Sequence, residues 1–197
     1  MSSAVLENLI NHLEKLPGIG RRSAERIAFH LLRVDRDEAF HLADAIRDLK
    51  IRLKHCSVCY NLTDEDPCRI CRDPKRDHSV VCVVEQPKDL VTIESTGAYH
   101  GAYHVLMGRL APLDNVETAD LTIDALVKRI EQGEIKEVIM ATNPTMEGDG
   151  TALHVASRVG HLPVKITRLA RGVAVGGQLE FTSKATLADA LVGRKDI

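Results

Sequence analysis

Four cysteines are arranged as two Cys-x-x-Cys pairs with eight residues between the pairs. The first pair is Cys56 with Cys59, and the second is Cys68 with Cys71. Each pair places two sulfurs on one side of a short turn, and two facing turns supply all four ligands of a tetrahedral site, with no position left for water. The spacing therefore predicts a structural zinc site that holds one ion per chain.

Two other interpretations of these cysteines stay open, namely a pair of disulfides or four unrelated thiols. The start of the chain lacks the basic and apolar regions of a secretory signal, and the longest aliphatic run, around residues 80–84, is too short to span a membrane. We therefore expect a cytoplasmic protein, in a compartment that keeps thiols reduced and favours metal over disulfides. The fifth cysteine, Cys82, lies in the apolar run and is expected to be a packed core thiol.

The rest of the chain divides into a helical part before the cysteines and an α/β part after them. Apolar residues recur at intervals of three and four over residues 5–54, which predicts three helices. Runs rich in β-branched residues at 79–85, 103–107, 137–141 and 164–169 are typical of strands covered on both faces of a parallel sheet.

Helical patterns lie between and after these predicted strands. Thr122 is expected to cap a helix that ends at Gly133, and residues 152–159 predict another. Strands that alternate with helices indicate an α/β layer fold. A glycine-rich bend at residues 172–177 precedes a short predicted helix at 187–191.

The turn between the first two predicted helices reads Leu-Pro-Gly-Ile-Gly at residues 16–20. Its glycines allow a close approach to another surface, and the amides that begin the second helix attract phosphate. This arrangement is typical of a helix-hairpin-helix element that binds the nucleic-acid backbone without reading bases. The residues predicted to bind DNA are Gly18, Gly20, Arg21, Arg22 and Arg26. The alternative is an ordinary two-helix turn with solvated arginines.

Carboxylates follow two of the predicted strands. Glu85 ends the first strand, and Glu147 and Asp149 come after the third. The carboxyl edge of a parallel sheet is where open α/β folds bind ligands, and carboxylates that converge there can hold magnesium for phosphoryl chemistry. Solvated rim residues and a protein-docking surface are the alternatives.

This segment resembles the Toprim domain of topoisomerases, primases and nucleases, whose motif is a strand-terminal glutamate followed later by Asp-x-Asp. Glu85 matches the glutamate, whereas Asn143 and Thr145 occupy the two aspartate positions. An amide and a hydroxyl hold a hard dication weakly. We therefore expect a domain without enzymatic activity, and a magnesium-dependent nuclease or topoisomerase-like enzyme is the alternative.

The order of these parts resembles the bacterial RecR recombination mediator family over essentially the whole chain. The motifs are the Leu-Pro-Gly-Ile-Gly turn, the four-cysteine knuckle, Asn-Pro-Thr-x-Glu-Gly at residues 143–148, and the run from Thr167 to Gly177. The resemblance implies an α/β multidomain fold. Its parts would be a helix-hairpin-helix module at 1–54, a four-cysteine zinc finger at 55–77, a Toprim-like α/β domain at 78–171 and a short C-terminal oligomerisation tail at 172–197.

The resemblance also implies a DNA-repair protein that is not an enzyme. It would form a ring-like homotetramer around single- or double-stranded DNA without sequence preference. With the partner proteins RecO and RecF it would load RecA onto gapped single-stranded DNA. Arg22 and Arg26 would face the DNA. The acidic surface for RecO contact would consist of Glu85, Asp89, Glu147 and Asp149.

Overall fold

The chain folds into two compact units, Met1–Leu53 and Lys54–Ile197. The structure, a computed structural model, describes residues 3–194. The first unit contains three helices, and the second contains the four cysteines, a parallel sheet and the C-terminal helix. No helix within residues 3–194 is long and apolar enough to cross a membrane.

The first unit is built from α1 (Ala4–Leu13), α2 (Arg21–Leu31) and α3 (Arg36–Arg52), in agreement with the predicted helices. Its small core joins α1 to α2 through Ile10, Ala24 and Ala28. The two alanines carry almost no side chain, so the helices approach closely over the larger Ile10. In contrast, α3 has no buried residue, and its apolar side chains remain exposed.

The second unit begins with the cysteine segment. Two short antiparallel strands, β1 (Lys54–His55) and β2 (Leu62–Thr63), bring the first pair of cysteines into a turn, and a single helical turn, α4 (Arg69–Arg72), follows.

A four-stranded parallel sheet occupies the centre of this unit. Its strands are β3 (Asp77–Val84), β4 (Gly101–Val105), β5 (Glu137–Met140) and β6 (Lys165–Arg168), in the order β4-β3-β5-β6. The predicted runs are all strands, and their parallel pairing is confirmed. The chain places β4 on one side of β3 and then β5 on the other side. The carboxyl ends of β3 and β5 therefore lie side by side, at the edge where α/β folds bind ligands.

Helices cover both faces of the sheet. They are α5 (Pro87–Ser95), α6 (Ile123–Glu131) and α7 (Met146–Val159). Alternate residues of β3 enter different cores. Val81 and Val83 pack with α6 and α7, whereas Cys82 and Val84 pack with α5 and the paired cysteines. The prediction of a packed Cys82 thiol is therefore confirmed.

Three predicted details of the helices differ in the structure. Thr122 occupies the N-cap position of α6, but its hydroxyl donates to the Val105 carbonyl at 2.7 Å and makes no cap hydrogen bond. The helix predicted from residue 152 starts six residues earlier, at Met146, with Thr145 as its cap. The last helix, α8 (Lys184–Val192), extends the predicted one at both ends.

Candidate metal centre, hairpin and acidic rim

The paired cysteines converge on one point. Their four Sγ atoms all lie within 4.8 Å of one another. Those of Cys56 and Cys71 are 3.9 Å apart, and those of Cys59 and Cys68 are 3.6 Å apart. Tetrahedral zinc with Zn–S bonds of about 2.3 Å requires sulfurs about 3.8 Å apart. The thiols therefore stand at the spacing of a metal site, and since all are free, the disulfide interpretation is wrong.

The surroundings of the sulfurs also fit a metal ion. The Cys68 amide donates to the Cys56 sulfur at 3.3 Å, which orients that ligand. Burial raises the pKa of the Cys68 thiol to about 11, and the neighbouring Cys71 thiol together with burial raises the pKa of Cys59. Held as thiolates in so small a volume, the four sulfurs would need a compensating cation, which a bound dication would supply.

The cysteine knuckle is joined to the sheet. The amide of Val105 in β4 donates to the Cys59 carbonyl at 2.8 Å. The Tyr60 ring, on a residue with φ of +61°, lies 5.5 Å from the His104 ring. His104 is fully buried, and its Nε2 lies 3.0 Å from the Thr122 hydroxyl. These contacts place His104 in packing, and the four cysteines form the only group of three or more potential metal ligands found among residues 3–194.

The turn of the helical hairpin has the geometry that its glycines suggest. Gly18 has φ of +77°, and the Ile19 amide donates to the Leu16 carbonyl at 3.1 Å. Gly20 is the N-cap of α2 and offers no side chain to the first amides of the helix. These amides have no acceptor within the helix and face outward at its positive end.

Arg21 differs from its neighbours in the predicted DNA-binding set. Its guanidinium group donates to the Asn11 side chain and forms ion pairs with carboxylates from both helices of the hairpin. These carboxylates are Glu7 at 2.5 Å, Glu25 at 3.1 Å and Glu14 at 3.2 Å. The hydrogen bonds that Arg21 donates to Glu7 and Glu14 raise its pKa further. Arg21 therefore braces α1 against α2.

Arg22 and Arg26 are available for other contacts. Both are exposed, and no carboxylate among the described residues pairs with either. They are four residues apart on α2, so their side chains project from one face with Cβ atoms about 5–6 Å apart. The hairpin thus presents two free guanidinium groups next to the glycine turn.

The carboxylates of the expected acidic surface, Glu85, Asp89, Glu147 and Asp149, are named here the acidic rim. Glu85 directly follows β3 and is only 2% exposed. Its Oε1 accepts from the Asn143 backbone amide at 2.8 Å, and its Oε2 accepts from the Asn143 side-chain amide, also at 2.8 Å. Glu85 is therefore not a surface residue, which corrects its expected place in an exposed acidic surface.

Thr145, at the second aspartate position of the Toprim motif, is also engaged. Its hydroxyl accepts from the Gly148 amide at 3.1 Å and caps α7. A Cβ at Gly148 would lie 2.1 Å from the Asn143 carbonyl oxygen and 2.9 Å from Glu85 Oε1. Gly148 is thus required for the loop to pass so close to the helix. Sequence reasoning missed this role, although the residue lies within the Asn-Pro-Thr-x-Glu-Gly motif.

The other members of the acidic rim have separate partners. Asp89 accepts from the Gln86 amide at 2.9 Å and closes the first turn of α5. Asp149 pairs with Arg168 at 2.5 Å and with Arg171, and these hydrogen bonds, that from Arg171 foremost, lower the pKa of Asp149. Glu147 is exposed on the first turn of α7.

Comparisons with known proteins agree with this arrangement. Family models match in order: the RecR helix-hairpin-helix over residues 6–50, the RecR four-cysteine zinc finger domain over 53–73 and the Toprim domain over 79–170. A protein named Recombination protein RecR from Rhodopirellula baltica is 54% identical over 98% of this chain and 97% of its own. Proteins of that name from Rubrobacter xylanophilus and Acidothermus cellulolyticus are 50% and 47% identical, over 98% and 100% of this chain and 96% and 99% of their own. The chain belongs to the RecR family of recombination proteins.

Proposed function

We propose that this protein binds DNA without sequence preference and acts as a mediator of recombinational repair. Working as a ring-like tetramer with RecO and RecF, it promotes RecA loading at gapped or single-stranded DNA. It performs no covalent chemistry itself. The observation that carries the proposal is the pair of exposed arginines, Arg22 and Arg26, beside the glycine turn of the hairpin.

The hairpin suits contact with phosphates rather than bases. Two guanidinium groups and the open amides of one helix start contact a backbone of any sequence. Two arginines neutralise few phosphates, so one subunit binds DNA weakly, and the salt dependence of the affinity grows with the number of engaged subunits. Several hairpins in one oligomer raise the effective concentration and make binding tight. Arg21, although part of the expected DNA-binding set, acts in this proposal by holding the hairpin together.

The test is a DNA titration of the double variant Arg22→Ala/Arg26→Ala in a salt series. We expect a loss of affinity of at least about tenfold on every DNA sequence. The slope of log affinity against log salt should fall by about 2 for each engaged subunit. Light scattering on the same samples gives the mass of the oligomer and shows whether the variant still assembles.

A matched control comes from α3. Arg47→Ala/Arg52→Ala also removes two arginines from the first unit, but these are exposed and paired with Asp44 and Asp48. Binding of this control should stay within about threefold of wild type. Equal losses of DNA affinity in the two double variants would show that the hairpin does not bind the DNA. Wild-type affinity of Arg22→Ala/Arg26→Ala at low salt would show the same.

The remaining parts have supporting roles in this proposal. One Zn²⁺ per chain binds to Cys56, Cys59, Cys68 and Cys71 and holds the knuckle against the sheet. The exposed part of the acidic rim, which includes Glu147, contacts RecO. The tail at 172–197 joins subunits, and the module boundaries at 1–54, 55–77 and 78–171 belong to the same proposal.

An active Toprim enzyme is the competing function, favoured by the position of Glu85 at the end of β3. Its catalytic magnesium would need carboxylate oxygens free to coordinate. Here both Glu85 oxygens accept hydrogen bonds from Asn143, and Thr145 caps a helix. Magnesium-dependent cleavage or relaxation of plasmid DNA by the purified protein would overturn the mediator assignment.

A further inference from the structure

Glu85 and Asn143 meet across the ends of neighbouring strands although 58 residues separate them in the chain. The carboxylate is buried, and each of its oxygens accepts one N–H from the same asparagine. A buried carboxylate is stable only when its oxygens are satisfied in this way. The pair therefore forms a closed contact within the molecule.

The consequences of this pair extend along the chain to Glu147. The Asn143 carbonyl accepts from the Thr145 amide at 2.8 Å, and Thr145 caps α7. Gly148 packs without a side chain against both Asn143 and Glu85. Residues 143–148, called here the rim loop, are thus fixed at one end by Glu85 and at the other by the helix cap. The rim loop includes the start of α7, where the exposed Glu147 lies.

We infer that Glu85 is a positioning residue, which holds the rim loop through Asn143 and so sets where Glu147 is presented. It does not touch the partner itself. This inference rests on the proposed function, in which the acidic rim contacts RecO. The direct-contact alternative gives the Glu85 charge a place in the interface, which its burial opposes.

Three variants distinguish the loss of the Glu85 charge from the loss of the contact between Glu85 and Asn143. In Glu85→Gln, the new Oε1 still accepts from the Asn143 backbone, and the Asn143 side chain, turned by half a rotation, accepts from the new Nε2. The charge is lost but the contact remains. In Asn143→Asp, two carboxylates oppose each other and the contact breaks, although no acid is removed. In the combined Glu85→Gln/Asn143→Asp variant, Nε2 of residue 85 donates to the new carboxylate, and the contact returns.

The experiment measures hydrogen exchange of the rim loop amides and binding of purified RecO, on the full-length protein in buffer without magnesium. Asn143→Asp should speed exchange at the hydrogen-bonded amides of residues 143, 145 and 148 by about tenfold or more, because the buried Glu85 carboxylate loses its side-chain partner. It should also weaken RecO binding by about tenfold. Glu85→Gln and the combined variant should stay within about threefold of wild type in both measurements.

Exchange in α6 serves as the folding control, since that helix makes none of the hydrogen bonds of the Glu85–Asn143 pair and should not change. Fast exchange in α6 as well as in the rim loop of Asn143→Asp would mean a general folding defect. Glu85→Gln, which has lost the charge but keeps the contact, would then distinguish positioning from direct contact. RecO binding lost in Glu85→Gln with an unchanged rim loop would overturn the inference, because it shows direct contact. Slow exchange in Asn143→Asp would overturn it as well.

Glu147→Gln tests the proposed function separately. It removes the exposed charge and leaves the pair intact, so exchange should match wild type while RecO binding weakens. Unchanged RecO binding in this variant would contradict the acidic rim as a partner surface. The exchange measurements on Asn143→Asp and the combined variant still test the positioning role of Glu85 in that case.

Discussion

The cysteine knuckle and the acidic rim both consist of side chains whose types serve as metal ligands in other proteins. In the knuckle, four sulfurs face one another within 4.8 Å. In the acidic rim, three of the four carboxylates point to different partners: Glu85 to Asn143, Asp89 to the start of α5, and Asp149 to two arginines. The sulfurs of the knuckle have the geometry of a metal site, whereas these three carboxylates of the acidic rim are engaged in internal hydrogen bonds and ion pairs.

The difference shows that the number of potential ligands predicts a metal site less well than the hydrogen-bond partners available to those ligands. A thiol is a poor hydrogen-bonding group, so buried cysteines that face one another have little alternative to a metal. A carboxylate accepts readily from amides, arginines and helix starts. Asn143, at the first acid position of the Toprim motif, supplies such contacts to Glu85 itself.

The largest expected effect comes from breaking the knuckle with Cys68→Ser. The variant should lose its bound metal and several kcal/mol of stability, since structural zinc contributes about 10 kcal/mol in small zinc fingers. The knuckle shares a core with Val84, Leu90 and Tyr103, so the damage should reach the sheet. Metal analysis and thermal unfolding measure both effects.

Cys82→Ala is the matched control, because Cys82 is buried in the same core but lies outside the four-sulfur cluster. It should keep one metal ion per chain and lose only about 1 kcal/mol of stability. A Cys68→Ser protein with full metal content and wild-type stability would show that the knuckle does not depend on a metal.

A smaller effect is expected from Gly148→Ala, which tests the close packing of the rim loop against Glu85 and Asn143. The new methyl group would meet the Asn143 carbonyl at 2.1 Å, so the rim loop must move, at a cost of about 1–3 kcal/mol. Gly150→Ala, on the same helix, meets nothing within 4 Å and should be neutral or stabilising by up to about 1 kcal/mol. Urea unfolding compares the two, and equal stabilities would show that Gly148 is not a point of close approach.

The smallest effect concerns the ion pairs of Asp149. Arg171 and Arg168 lower its pKa below the ordinary value of 3.8, so its contribution to stability is fully present above that pH and is lost as the pH falls through the lowered value. Asp149→Asn should cost about 0.5–1 kcal/mol near neutral pH, because the pair is partly exposed. Chemical unfolding from pH 7 to pH 2 should show this difference shrinking below about pH 3.8.

Glu147→Gln is the control for this measurement, since Glu147 is exposed on the same helix. Its stability should follow that of wild type within about 0.5 kcal/mol at every pH. A gap between Asp149→Asn and wild type that widens toward acid would contradict the sign of the lowered pKa.

Much of the fold was predictable because its signals lie within short windows. The Cys-x-x-Cys pairs, the Leu-Pro-Gly-Ile-Gly turn and the unbroken apolar strands each depend on a few neighbouring residues, and all appear in the structure. Thr122 marks the limit of such signals. It is a good cap by type, but its hydroxyl reaches the Val105 carbonyl, a group 17 residues away.

The candidate site residues show the same limit. Arg21 and Arg22 are adjacent and chemically identical, yet only Arg21 meets the three glutamates of the hairpin. Glu85 and Glu147 are both acids at the sheet edge, yet one is buried against Asn143 and the other is exposed. Residue type indicates what a side chain is able to do, whereas its neighbours in space decide whether it is already engaged.

The sequence by itself determined the ligand set of the knuckle, the hairpin and the parallel sheet, because local spacing and apolar periodicity fix which groups point the same way. Only the tertiary structure decided which charges are used internally. The strand order brings Glu85 to Asn143, and the packing of α1 on α2 brings Arg21 to its glutamates. Hydrogen bonds and ion pairs act over a few ångströms, so their partners are set by the folded chain and not by distance along the sequence.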